Sequence, residues 1–273
     1  MLKKGLKWAF WIVVVFVALS FLSNRFFPTS AIGVLEVTGG IYSSDDILDQ
    51  IEDLKKDSRI KGVLLRIDSP GGTVAASQEI FESLQKLGAV KPIIASCGTL
   101  AASGGYYVAL AAKEIFANPG TLTGSIGVRM EHMEIGDLLQ WAKVHYETLK
   151  SGELKDMGSL QRPMTPEEKQ LIESMLHEIH QQFKKAVAEA RHLPMEAVEK
   201  VADGRVLTGE EAFQAKLVDH LGGRTEAIAR LMQVAGLKGE PHLIYNKEGK
   251  DWWVRFLTKT QILSPLPVPL FYR

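Results

Sequence analysis

The chain has 273 residues, and 32 Lys+Arg are balanced by 32 Asp+Glu. That balance leaves no electrostatic footprint for nucleic acid or an acidic partner. A single cysteine, Cys97, excludes an internal disulfide and a Cys-rich zinc site, and its apolar neighbours make it a small core residue rather than a reactive thiol.

At the N-terminus, Lys3, Lys4 and Lys7 precede an apolar run from Trp8 to Ser23 that Asn24 and Arg25 close. A basic flank before an apolar run orients the segment with its N-terminus in the cytoplasm. The run is short for a spanning helix, and its length also suits a signal peptide. The small residues Ala18 and Ser20 are followed at once by Phe21 and Leu22, which disfavours cleavage, and Trp8 and Trp11 suit a membrane interface. The expected division is a cytoplasmic stub (1–7), an uncleaved membrane anchor (8–24), a linker (25–31), a main domain (32–236) and a C-terminal extension (237–273).

Ile32 to Val37 reads as a strand, and Ser44 to Lys56 as a helix that Ser44 caps. Gly62 to Ile67 is a nearly continuous apolar strand of the kind buried in parallel sheets. A glycine turn, a helix from Ala75 to Leu87, a strand from Pro92 to Ser96, a helix after Ser103 and a strand at Ile115 to Ala117 follow. This alternation predicts βαβ units and a mostly parallel α/β sheet, with sites at the carboxyl ends of its strands, where Ser69 to Gly72 and Ser103 fall.

Beyond Val128 the pattern turns helical. Asp137 to Ala142 predicts a short helix and Tyr146 to Leu149 a strand. Thr165, Pro166 and Glu168 announce a long amphipathic helix to Arg191 with a capping box. Helices near Pro194 to Val201, Gly209 to Ala215 and Thr225 to Val234 follow. The apolar tail from Trp252 holds Pro265, Pro267 and Pro269, so it makes no second membrane helix.

Within Thr99 to Tyr107, Ser103 stands among residues almost without side chains, at a predicted strand-to-helix turn. A nucleophilic serine needs an accessible hydroxyl beside a backbone donor for a developing oxyanion. The same composition also serves a tight helix start. All seven histidines lie after Ser103, and no serine occupies a G-x-S-x-G elbow. His177 and His180 are three apart, not the four of a zinc-protease helix, and read as neighbours on a solvated helix face, so metal chemistry is disfavoured.

Lysine is the other base. It accepts a proton near neutrality only where burial disfavours its charge. Lys155, in Lys150-Ser151-Gly152-Glu153-Leu154-Lys155-Asp156, is the best placed; the alternative is a solvated lysine paired with Asp156. Asp68-Ser69-Pro70-Gly71-Gly72 could turn backbone N–H groups toward a bound carbonyl, and the hydroxyls of Thr121 to Gly127 either orient a neighbour or satisfy a turn.

Five blocks in order carry a resemblance: Ile67 to Gly72, Ala101 to Tyr107, Leu122 to Gly127, Lys150-Ser151-Gly152 with Lys155-Asp156, and Ala202 to Val206. From Ile32 to Gly236 the chain resembles the short, membrane-anchored signal peptide peptidases of type A, Ser/Lys peptidases related to Clp protease and the crotonases. The resemblance implies a Clp protease/crotonase-like α/β fold, Ser103 as nucleophile, Lys155 as general base and Ser125 as the hydroxyl that holds the lysine amine. It puts the oxyanion hole at the N–H of Gly104 and of Gly71 or Gly72. No cofactor or metal is implied. The implied substrates are apolar remnant signal peptides, and the implied setting is a bacterial inner membrane with the catalytic domain outside the cytoplasm. Homo-oligomers would complete each Ser/Lys pair across adjacent subunits. The competing readings are a crotonase-like acyl-transfer enzyme and a catalytically silent membrane scaffold.

Overall fold

The computed structural model describes residues 13–14, 30–245 and 271–272. The expected anchor, apart from residues 13–14, and nearly all of the C-terminal tail lie outside the described residues. Among those described, no helix is long and apolar enough to cross a membrane.

Runs rich in Val, Ile and Leu form the centre of a mixed α/β fold. Strands β1 (Ala31–Ile41), β2 (Ile60–Thr73) and β3 (Ile93–Ala102) pair in parallel. Both faces are covered along Val63-Leu64-Leu65, which explains an unbroken apolar run in place of alternation. Helices α1 (Asp45–Lys56) and α2 (Val74–Gly88) make the crossovers. Next come α3 (Gly104–Ala109), β4 (Glu114–Ala117), β5 (Leu122–Gly124), α4 (Gly136–Trp141) and the long α5 (Pro166–Arg191). The order closes with α6 (Met195–Glu199), β6 (Val206–Thr208), α7 (Gly209–Gln214), β7 (His220–Leu221), α8 (Arg224–Val234), β8 (Leu243–Tyr245) and β9 (Phe271–Tyr272).

The sheet is mostly parallel and forks at β3. Ile94 to Ser96 pair with β4, whereas Leu100 to Ala102 pair with β5. Antiparallel β6 closes the β5 branch, and β9 runs antiparallel against Gly72 and Thr73. One core lies between the sheet and α2, α3 and α5, with Ile67, Leu84, Tyr106 and Phe183 fully buried. A smaller one packs Ile32, Leu64 and Phe116 under Ala227 and Leu231 of α8.

The α5 start follows its sequence signature. Glu168 N–H donates to Thr165 Oγ1 and Thr165 N–H to the Glu168 carboxylate, at 3.2 and 2.8 Å. A cap of this type contributes about 1 kcal/mol.

Several elements depart from expectation. β2 runs through the predicted glycine turn to Thr73, because pairing with β1 resumes after a bulge and continues to Gly72. Ser44 stands at the N-cap of α1 but does not cap it; its hydroxyl donates to Glu79 of α2 instead. Tyr146 to Leu149 form no strand, since no strand among the described residues pairs with them, and Leu149 is 89% exposed. Cys97 is wholly buried, and that burial pushes its thiol up to about 12.

Candidate active site

Ser103 sits where one branch of the fork ends. Ala102 is in register with Gly124, and Ser103 N–H donates to Gly124 O at 2.8 Å. The chain then turns at Ser103 with φ 54 and ψ −120, outside the regions a side-chain-bearing residue favours. Such a conformation persists only where its surroundings hold it. Here the holding element is α3, buried at every residue. Tyr106 hydroxyl donates to Leu217 O at 2.7 Å, and Tyr107 packs against the rings of Phe81 and Phe183 at 5.0 and 5.1 Å. The Ser103 hydroxyl is buried rather than accessible and has no hydrogen-bond partner among the described residues. An unsatisfied buried hydroxyl costs about 1–3 kcal/mol. A strained, unpartnered serine is therefore an expense that the fold tolerates at this one turn.

The glycine block of β2 lies against this turn. A Cβ on Gly104 would come within 2.5 Å of Ser77 Oγ and 3.2 Å of Gly72 N, so only glycine fits there. Gly71 has φ 94, again a glycine conformation. Ser69, fully buried, donates to Gly39 O at 2.6 Å and accepts Gly71 N–H at 3.1 Å. The Gly71 donor is thus occupied, which the sequence reading left open. The signal for it was a serine two residues before a glycine, the spacing of a side-chain-closed turn.

Ser125 follows Gly124 and is itself at positive φ, 51, with its N–H given to Arg205 O at 2.8 Å. The next residue, Ile126, is buried, and its carbonyl faces His180 Nε2 of α5 at 3.1 Å. His180 is therefore no member of a solvated pair. It is half-buried and braces the Ser125 loop, and burial, then the Lys184 charge, pushes its pKa down. The missed signal was its spacing of three and seven from Phe183 and Val187, on the buried stripe of the helix.

The fold thus gathers Ser103, Ser125, Gly71, Gly72 and Gly104. No hydrogen bond or ion pair among the described residues ties Lys155 to them. That residue lies on a one-turn 3-10 helix (Glu153–Asp156), exposed, and its ammonium makes no ion pair among the described residues. Asp156, the expected surface partner, pairs with Lys150 and Arg162 instead. Upstream of Lys155, large apolar side chains face solvent: Met133, Leu138, Trp141 at 82% exposure, Val144 and Leu149. Apolar clusters of that kind mark contact surfaces. Among the described residues no group of three or more His, Cys, Asp or Glu is placed to hold a metal ion.

Comparison with known proteins bears directly on this site. The profile of peptidase family S49 matches residues 85–238, which include Ser103, Ser125 and Lys155, and the profile of Clp protease matches residues 32–122. The chain belongs to peptidase family S49. By that membership it is a serine peptidase, a hydrolase. A provisionally named protease of Synechocystis is 39% identical over 74% of this S49 chain and 74% of its own. The chloroplastic serine protease SPPA of Arabidopsis thaliana is 36% identical over 75% of this chain but 30% of its own. A provisionally named signal peptide peptidase SppA of Enterococcus faecium is 37% identical over 70% of this chain and 56% of its own. The S49 chain thus spans well under two thirds of the latter two relatives.

Proposed function

We propose that this chain is a Ser/Lys endopeptidase whose site is completed by a second copy, Ser103 attacking the peptide carbonyl and a neighbour's Lys155 serving as general base. One observation carries the reading. The Ser103 hydroxyl is buried and unpartnered at a strained turn whose next residue, Gly104, packs close to the backbone of Gly72, while Lys155 stands exposed on a segment that also exposes Trp141 and Leu149.

In the first step, neutral Lys155 takes the hydroxyl proton as Ser103 Oγ bonds to the carbonyl carbon. The N–H groups of Gly104 and Gly72 receive the developing oxyanion; Gly72 is chosen because Gly71 N–H is held by Ser69. Lys155 then gives the proton to the leaving amine, and water attacks the acyl-enzyme with the same lysine as base. A lysine works this way only when desolvated, and docking of the exposed apolar segment onto a second copy supplies that desolvation. Ser125, one residue beyond the Gly124 carbonyl that receives Ser103 N–H, orients the arriving amine.

The proposed substrates are extended apolar peptides, remnant signal peptides among them, a class named in the Enterococcus relative. Antiparallel pairing of β9 with Gly72 and Thr73 supports a backbone-bound substrate on the same edge. The basic flank and apolar run at 8–24 argue for a single-pass anchor with the domain outside the cytoplasm.

Complementation tests the reading. Ser103→Ala and Lys155→Ala should each lower peptide hydrolysis by about a thousandfold or more. Co-assembled in equal amounts, they should recover about a quarter of the wild-type rate, because a site with both halves intact forms one time in four. A mixture as inactive as its components would sink the shared site, and activity surviving in Lys155→Ala would remove the lysine base.

A further inference from the structure

We propose that Lys150, Arg162 and Glu168 form a positioning network that fixes the turn bearing Lys155 and keeps the Asp156 carboxylate from the Lys155 ammonium. The inference rests on the reading of Lys155 as the base and gives a role to residues that the reading leaves unused.

Chemistry sets the problem. A carboxylate next to a lysine favours the ammonium, the form that cannot accept a proton. The sequence puts such a carboxylate at the very next residue. The fold occupies it from two sides. Lys150 Nζ lies 2.7 Å from Asp156 Oδ1, and Arg162 presents Nε to Oδ2 and a terminal nitrogen to Oδ1, each at 3.1 Å. These cations, Arg162 first, hold the Asp156 carboxyl far below the usual carboxylate range.

The network is also mechanically anchored. Arg162 forks onto Glu168 through two bonds of 2.9 and 2.5 Å, and the Glu168 side chain is only 2% exposed. Arg162, then the Thr165 N–H, holds its carboxyl down to about 2. Glu168 belongs to the capping box of α5, so the tie ends on a long helix packed into the core. At the other end, Lys150 Nζ also donates to Glu153 O at 2.8 Å, closing the loop around the 3-10 turn. Only a planar guanidinium can bridge two carboxylates in this way.

The charges sum to zero within the network. Lys150 and Arg162 offset Asp156 and Glu168, and Lys155 makes no ion pair among the described residues. Charged groups near the turn include Lys150 and Glu153 from the loop, Arg162 from the approach to α5, Glu168 from its first turn, and Arg129 and Glu131, paired with each other on the segment that packs against Gly158. None of these is a residue that the proposed chemistry consumes, so their effect is one of position and field.

The test is the pH profile of kcat and kcat/KM on a fluorogenic apolar peptide, with the full chain in detergent. Arg162→Gln should free Asp156 toward Lys155 and move the acidic limb up by about one unit. That is a tenfold loss below the limb, with the high-pH plateau kept and kcat affected more than KM. Adding Asp156→Asn to Arg162→Gln should return the limb to its wild-type position, because the offending carboxylate is gone. Lys150→Gln, remote from the α5 cap, should move the limb the same way by less, so a folding defect in the arginine variant does not protect the idea. An unmoved limb in both variants, or a uniform loss at every pH that Asp156→Asn does not rescue, overturns the inference. If Lys155→Ala is inactive alongside such a result, only the network falls. If Lys155→Ala stays active, the base assignment falls and takes the network with it.

Discussion

The turn at Ser103 and the segment from residue 133 to 160 are built on opposite plans. Around Ser103 every residue of α3 is buried, the backbone is strained, and the serine hydroxyl is buried without a hydrogen-bond partner among the described residues. Around Lys155 the elements are single turns, large apolar side chains face outward, and order comes from ion pairs rather than from a core. The contrast teaches how a peptidase can be divided. On the proposed reading, the half that must be rigid is made by one chain, and the half that must be desolvated is left open for a second chain to cover.

The strongest way to break the comparison is to disturb the rigid half by one methyl group. Gly104→Ala puts a Cβ within 2.5 Å of Ser77 Oγ and 3.2 Å of Gly72 N, so Ser77 or α3 must give way and the proposed oxyanion donor is displaced. Steady-state assays should show kcat falling about 100- to 1000-fold, the loss expected when one oxyanion donor is misplaced. Near-normal kcat would mean that the turn is not the site. An intermediate effect is expected in the open half. Trp141→Glu charges a side chain that is 82% exposed, so thermal unfolding should change by no more than about 0.5 kcal/mol. Light scattering should nevertheless report smaller assemblies, and activity should fall with them by about tenfold, one disrupted contact being worth about 1.4 kcal/mol. Retained activity in fully dissociated protein would show that a single chain suffices.

The smallest effect concerns acid stability. Glu168 titrates at about 2 when folded, against an ordinary value of 4.5, so its contribution is complete above pH 4.5 and is lost as pH falls toward 2. Glu168→Gln should lower stability at neutral pH and flatten the acid limb of the melting temperature. A mutant limb as steep as wild type would show that the Arg162 pair does not act on the fold.

What was legible in the sequence follows the same division. The parallel strands, the α5 cap and the strand-to-helix turn at Ser103 are written in local pattern: apolar runs, Thr165 with Glu168, and a file of small residues. Family membership was legible from five short blocks in order. Long-range partners were not. Nothing at Ser69 announces that its hydroxyl reaches Gly39, and Arg162 meets Asp156 across six residues of irregular chain, where no helical or strand period applies. His180 looked solvated beside His177 because a spacing of three suggests one face, but rotation about the helix axis turns one ring to the Ile126 carbonyl and leaves the other outside. Tyr146 to Leu149 has strand-forming residues and no strand, since propensity without a partner edge makes no ladder.

The pairing of β9 with Gly72 and Thr73 has a consequence for what the enzyme can grip. On the proposed reading, a substrate taking the place of β9 on that edge would lie fully drawn out, at about 3.3 Å per residue. A helical peptide advances about 1.5 Å per residue and spends its own N–H and C=O groups internally. On that reading, a substrate that starts as a helix would lengthen about twofold and break its internal bonds before a carbonyl reached Ser103. Binding of that kind would select for peptides that have come unwound, whatever their side chains.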